Sequence, residues 1–395
     1  MRVLRRPSAD ELPAFAAQVA AAFSGMQPSE EEIEARLRVW EPDRMLGAFE
    51  DGWLVATAAT ISLPLTLPGG CRVRAAGISR VTVIPTHRRR GLLTEMLRHQ
   101  VDDAREQGEP VAILFASEGA IYGRFGFGVA TLQADLRIAR GRSAFRERVD
   151  VSSLRLVERR RVAGRLQRIA AEAAAAQPGA VERSSAWWRW VAEASSERSA
   201  AETEVVVRDE DDGFVAYQRR IEPPEWRGSL DVLLLMALSP AAHAALWRYC
   251  LDVDLMDEVT ARGRPADEPL RFLLADPRAM ECSVSDGLWL RLLDVEAALN
   301  VRSYADDGRV VLGVEDAFCP WNAGTYVIEG GRCRRTDADP GLVMTAGALG
   351  ACYLGGTRFN TLAQAGMIDE RRPGAAARAD RLFAGSTAPW CPLRF

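Results

Sequence analysis

The chain is predicted to be a mixed α/β (α+β) protein of two or three domains, on three observations. Its 395 residues exceed what one ordinary core holds. Apolar positions recur at helical spacing in some windows and at strand spacing in others. The order hairpin, strand, helix occurs once in the first 110 residues and again after residue 200. Hydrophobic residues at 48% and charged residues at 26% suit a folded globular chain rather than a disordered one.

Pro7 to Glu11 forms a helix start, with Ser8 as cap, Glu11 three residues on, and Leu12, Phe15 and Val19 on one face. Pro28-Ser29-Glu30 opens a second helix carrying Ile33, Leu37 and Trp40. Met45–Phe49 and Trp53–Ile61 read as a hairpin closed by Asp51-Gly52. Ala75–Ile84 is a strand that Pro85 stops. Arg89 to Gln107 is a helix with Leu92, Leu93, Met96, Leu97 and Val101 inward. Val111–Ala116, an unbroken apolar run, is a strand covered on both faces.

Further on, Arg155–Ala176 reads as one long helix with a solvated arginine face, ended by Pro178-Gly179. Glu204–Arg208 and Phe214–Arg219 form a hairpin around an exposed acidic turn, Asp209–Asp212. Leu230–Leu238 is a strand, and Ser239-Pro240 starts a helix to Cys250. This copy has Pro240-Ala241-Ala242 where the first has an arginine- and glycine-bearing loop, so it reads as a degenerate repeat. Short strands then follow at Leu288–Leu293, Val310–Val314, Gly324–Glu329 and Arg332–Thr336; Leu342–Thr345 precedes a helix from Ala346, and a further helix starts at Leu362. The predicted domains are 1–145, 146–284 and 285–395.

Composition removes several function classes. The chain contains no lysine, so all its basic side chains are arginine, and its net charge is −4. That balance predicts no nucleic-acid partner. Seven cysteines without a CxxC pair and three scattered histidines offer no zinc motif and no disulfide framework, so no metal is expected. No apolar run spans a bilayer and no signal core follows Met1, so a cytoplasmic protein with no membrane partner is expected.

The chemistry concentrates in Val81-Thr82-Val83-Ile84-Pro85-Thr86-His87-Arg88-Arg89-Arg90-Gly91-Leu92-Leu93. A strand ends, a basic loop follows, and a helix begins. Unpaired N–H groups at a helix start suit a pyrophosphate, Gly91 permits close approach, and Arg88–Arg90 add full charge. A second string, Ser117-Glu118-Gly119-Ala120-Ile121-Tyr122-Gly123-Arg124-Phe125-Gly126-Phe127-Gly128, is long and unusual.

The loop resembles the coenzyme A loop of GNAT acyltransferases, Arg/Gln-x-x-Gly-x-Gly/Ala, with Leu93 departing from the last position. Both strings together resemble the Eis (enhanced intracellular survival) family of acetyltransferases. The resemblance implies a catalytic GNAT domain, a degenerate GNAT-like domain and a sterol-carrier-protein-like domain, with Trp289–Val295 at the start of the last. It implies acetyl-CoA as co-substrate, contacted by Val81, Thr82, Val83, Arg89, Arg90, Gly91, Leu92, Leu93, Thr94, Ser117 and Glu118. The strand edge would bond the pantetheine amides, and the Val83 N–H would polarise the thioester carbonyl.

By the same resemblance Tyr122 is the general acid. A phenol near ~10 can protonate a leaving thiolate near ~8.5 at a cost of about 2 kcal/mol; read from its neighbours alone, Tyr122 is an aromatic core residue. His87 and His99 are the base candidates among the residues near the loop. The family pattern implies instead the terminal carboxylate of Phe395. An ammonium near ~10.4 and a carboxyl near ~3.5 differ by roughly 9 kcal/mol, so that role requires a raised pKa or an intervening water.

The implied acceptors are primary amines: aminoglycosides, polyamine-like molecules or protein lysine side chains. Phe23, Met26 and Trp40 are candidate walls for the acceptor, and Arg394 would oppose a cation arriving there. The resemblance also implies a homohexamer. The competing expectation is a lipid- or sterol-binding protein with a vestigial acyltransferase site.

Overall fold

The computed structural model describes residues 2–24, 29–193, 202–222 and 227–395. Met26, a candidate acceptor wall, lies outside them. The chain forms two compact units: Met1–Ala130 with Leu288–Gly385 and Arg394–Phe395, and Thr131–Gly287 with Ser386–Leu393.

The first unit begins with β1 (Arg2–Arg5), α1 (Leu12–Ser24), α2 (Glu30–Leu37), β2 (Met45–Glu50), β3 (Trp53–Thr66) and β4 (Arg72–Val83). There follow α3 (Leu92–Glu106), β5 (Val111–Phe115), α4 (Gly119–Tyr122) and β6 (Gly128–Val129). Ser29 and Glu32 cap α2 reciprocally, at 3.2 and 3.1 Å. Strands β1 to β4 pair antiparallel, and β4 to β5 is the parallel crossover carried by α3. Helix α3 buries Leu92, Met96, Leu97, Val101 and Ala104. It starts at Leu92 and not at Arg89, because Arg89 (φ 62°) and Gly91 (φ 84°) sit in the left-handed region.

The second unit comprises β7 (Leu132–Ala139), β8 (Leu154–Val157), α5 (Ala163–Ala176), α6 (Ser185–Glu193), β9 (Thr203–Arg208) and β10 (Gly213–Glu222). It continues with β11 (Arg227–Ala237), α7 (Pro240–Asp252), β12 (Met256–Pro265), α8 (Leu270–Leu273) and β13 (Met280–Asp286). Here too a hairpin leads to a strand, a helix and a parallel strand, β11 beside β12. Strand β7 pairs with β12 and β13 and buries Ala134, Leu136 and Ile138 in this core, so the first unit ends at Ala130 rather than 145. The helix predicted from Arg155 starts at Ala163, because Leu154–Val157 pairs with β9. Arg155, Arg160, Arg161 and Arg168 are exposed, as expected, and ion pairs join part of the set to the acidic turn: Arg165 and Arg168 both pair with Asp211, and Arg155 with Asp209 at 2.8 Å.

The rest of the first unit contains β14 (Leu288–Leu292), α9 (Val295–Val301), β15 (Val310–Glu315), β16 (Gly324–Glu329), β17 (Arg332–Arg335) and β18 (Leu342–Thr345). It ends with α10 (Ala346–Cys352), α11 (Phe359–Gln364), β19 (Ile368–Glu370) and α12 (Ala375–Phe383). The C-terminal sheet runs β17-β16-β15-β18-β19. Strand β14, expected in that domain, instead fills the gap between β5 and β6, from Leu288↔Phe115 to Leu292↔Val111. Its five positions are all buried, which a central strand permits. Helix α10 lies close over it: a β-carbon at Gly350 would overlap the Leu290 carbonyl, and one at Gly128 the Gly347 carbonyl. The helix expected from Leu362 is broken by Gly366 (φ 73°) and Gly374 (φ 79°).

Candidate active site

Strands β4 and β5 pair only at Ala75↔Val111, Ala76↔Ala112 and Gly77↔Ile113. Beyond Gly77, β4 continues to Val83 with β3 on one side, and among the described residues no strand pairs with its other edge. The two strands therefore open a wedge, with this part of β4 as one wall. A bulge opposite Thr57–Ala59 shapes this wall. Arg80 takes φ 55° there, and its carbonyl accepts the Thr57 hydroxyl at 2.8 Å.

Thr82 turns its side chain away into the protein, where its hydroxyl meets those of Thr57 at 2.6 Å and the Gln18 amide at 3.0 Å. Val81 and Val83 are half-buried. An amide-bearing ligand at this edge therefore meets the main chain of Val81–Val83 and not the Thr82 hydroxyl.

After β4, Pro85–His87 makes one tight turn and Arg88–Gly91 are exposed. A β-carbon at Gly91 would meet only Glu95 Oε1, at 3.8 Å, so the space over the helix start is open. The first-turn amides of Leu92, Leu93 and Thr94 face that space. Leu92 offers the main chain alone, since its side chain is buried beneath α3. His87 is engaged by Glu50 at 3.2 Å, which also lies 3.9 Å from Arg90. His99 is exposed on the outer face of α3.

Ser117 and Glu118 follow β5 and are exposed. Tyr122 is buried in one apolar cluster with Ile78, Leu97 and Leu114, and Val81 and Leu93 pack against that cluster. Its ring meets Phe127 edge-on at 6.2 Å. Burial, and then the charge of Glu118, push its phenol above the ordinary value. The hydroxyl has no hydrogen-bond partner among the described residues.

Phe395 lies at the fork of the wedge. Its ring packs on Phe115 at 5.4 Å, and a β-carbon at Gly77 would come within 3.1 Å of it. The Arg394 guanidinium stands 5.0 Å over the same Phe115 ring. Of the candidate acceptor walls, Phe23 is exposed, and Trp40 is half-buried beneath the Arg80 guanidinium at 4.4 Å. Sequence reasoning missed Gly77 and Arg80. A glycine inside an apolar strand was the one available signal of a close approach.

Among the described residues no helix is long and apolar enough to cross a membrane. Two models of an acetyltransferase (GNAT) domain match residues 3–130 and 179–292, and a sterol carrier protein domain model matches residues 295–392. The chain is 41% identical over 387 residues to an uncharacterized N-acetyltransferase of Streptomyces avermitilis, covering 95% of each. It is 32% identical over 394 residues to N-acetyltransferase Eis of Mycobacterium tuberculosis, covering 96% of each. The fold matches the crystal structure of Eis1 from Mycobacterium abscessus with a TM-score of 0.90 and 36% identity over the whole of both chains. With two GNAT domains, a sterol-carrier-like domain and these relatives, the chain is an N-acetyltransferase and belongs to the Eis family.

Proposed function

We propose that this enzyme moves the acetyl group of acetyl-CoA to a primary amine by direct attack, with no covalent enzyme intermediate. The seat of the Phe395 ring at the fork between β4 and β5, against Phe115 and Gly77, supports this reading. In the proposed assignment the main chain of Val81–Val83 bonds the pantetheine arm. Arg89, Arg90 and the amides of Gly91 to Thr94 hold the phosphates, and Ser117 and Glu118 flank the arm. The Phe395 carboxylate takes a proton from the acceptor ammonium, directly or through water, as the nitrogen attacks the thioester carbonyl. Tyr122 gives its proton to the departing sulfur as the tetrahedral intermediate collapses. The raised phenol pKa keeps that proton available at neutral pH.

The proposed acceptors are aminoglycosides, polyamine-like amines or lysine side chains. Arg394 beside the seat disfavours the most highly charged of them. A cytoplasmic homohexamer is proposed on the family likeness, and sedimentation of the purified chain tests the assembly.

Mass-spectrometric detection of acetylated product across a panel of primary amines tests the function. The native chain is compared with Tyr122→Phe and with a chain carrying two residues appended after Phe395. Turnover lost in both, with the fold intact, is the expected result. Full turnover in the extended chain would move the base elsewhere, and no turnover with any amine would favour a lipid-binding role.

A further inference from the structure

Arg291, the fourth of the five residues of β14, is fully buried in a strand whose other residues are all apolar or aromatic. Burying a guanidinium costs several kcal/mol unless its fork is filled. Here one arm donates to the carbonyl of Phe125 and another pairs with the carboxylate of Asp316. Asp316 lies just after β15 and is itself buried. Its Oδ1 accepts the Cys319 N–H at 2.8 Å, and the Asn322 amide donates at 3.3 Å to Oδ2, the oxygen that Arg291 meets. Asn322 also donates to the Leu292 carbonyl at 3.1 Å and accepts the Val295 N–H at 3.2 Å, which closes the network.

The Phe125 end of this network is the turn that carries Tyr122. Residues Gly123–Phe125 form a single tight turn directly after α4, and Gly126 leaves it at φ 78°. A β-carbon at Gly126 would come within 2.5 Å of Arg291 Nη1, so the glycine makes room for the guanidinium. Phe318 packs edge-on to Phe125 at 5.2 Å from the same C-terminal segment. The phenol of Tyr122 has no hydrogen bond of its own among the described residues, so main-chain anchoring and packing fix its place.

We propose that Arg291 and Asp316 are positioning residues: through Asp316 the C-terminal domain holds Arg291, and Arg291 holds the Phe125 carbonyl so that Tyr122 stays at the depth its proton transfer requires. This rests on Tyr122 being the general acid. It gives the sterol-carrier-like domain a part in the acid step without a side chain in the wedge.

The test measures kcat, KM for acetyl-CoA and thermal unfolding for Arg291→Lys, Arg291→Met and Asp316→Asn in the full chain. Each is made in the native and Tyr122→Phe backgrounds. The expected result is a kcat lowered tenfold or more, least in Arg291→Lys, with KM within twofold and no further loss in the Tyr122→Phe background. Should Arg291→Met not fold, Asp316→Asn, which keeps the oxygen that Cys319 needs, carries the test. Equal losses in both backgrounds, or full kcat in folded variants while Tyr122→Phe alone is impaired, would overturn the clasp and leave the acid assignment standing. Full turnover in Tyr122→Phe alone overturns the acid assignment, and the clasp with it.

Discussion

The ring of Phe395 rests on Gly77, at the last residue pair that β4 and β5 share. A side chain at 77 would press on that ring, on Leu63 Cδ1 at 2.7 Å and on the Ile61 carbonyl at 3.1 Å. Gly77→Val is expected to cost about 1–3 kcal/mol in stability by overpacking. It should also lower kcat at least tenfold by dislodging the terminus. Thermal unfolding and steady-state rates check both parts, and full kcat in Gly77→Val would separate the terminus from the chemistry.

Tyr122→Phe removes a hydroxyl that bonds to nothing in the described residues, so stability should change by less than about 1 kcal/mol. Loss of a general acid should lower kcat by roughly 100-fold or more. The native phenol is raised above 10.0 by burial, and in the proposed role the protonated form is the active one. An alkaline fall in rate set by this group therefore has its midpoint above pH 10.0. Any stability from the same shift is complete below 10.0 and is lost as pH rises through the raised value. A pH–rate profile limited by Tyr122 at pH 8 would contradict the assignment.

Gly91→Ala places a methyl where φ is 84° and no atom stands nearer than 3.8 Å. The strain is about 1 kcal/mol, with no clash. The methyl occupies the open side of the helix start, so KM for acetyl-CoA should rise severalfold with kcat little changed. Initial rates at varied acetyl-CoA decide this, and an unchanged KM would place the phosphates elsewhere.

In the second unit burial alone would raise Glu268, but the adjacent Arg264 charge and the His243 hydrogen bond outweigh it and hold the carboxyl at about 2. The stabilisation is complete above the ordinary value of 4.5 and is lost as pH falls through about 2. It amounts to on the order of 3 kcal/mol. Glu268→Gln should unfold at lower temperature at neutral pH and show a flatter acid limb than the native chain. Parallel acid limbs in the two chains would remove Glu268 as the cause.

Strand β4, the exposed loop after it and the start of α3 were legible because their signals are local. Pro85 stops β4, Gly91 supplies a left-handed step, and Leu92, Met96 and Val101 set the inner face of α3. The bulge at Arg80 left no such mark, because a mismatch of register between β3 and β4 imposes it on an arginine that no local rule would choose. The ion pairs of the arginines before and within α5 were hidden for a related reason. Their partners, Asp209 and Asp211, lie on a turn that only packing brings near.

The order of elements, the repeat of the hairpin–strand–helix unit and the strand–loop–helix at residues 81–94 are written in the chain locally, since periodicity and turn chemistry act over a few residues. That β14 closes the first sheet, that Arg291 meets the Tyr122 turn and that the Phe395 ring lies against Gly77 came from the packed fold. A five-residue buried strand fits the middle of several sheets equally well. Its partner, and the place of a chain end, are chosen by contacts between residues far apart in the sequence.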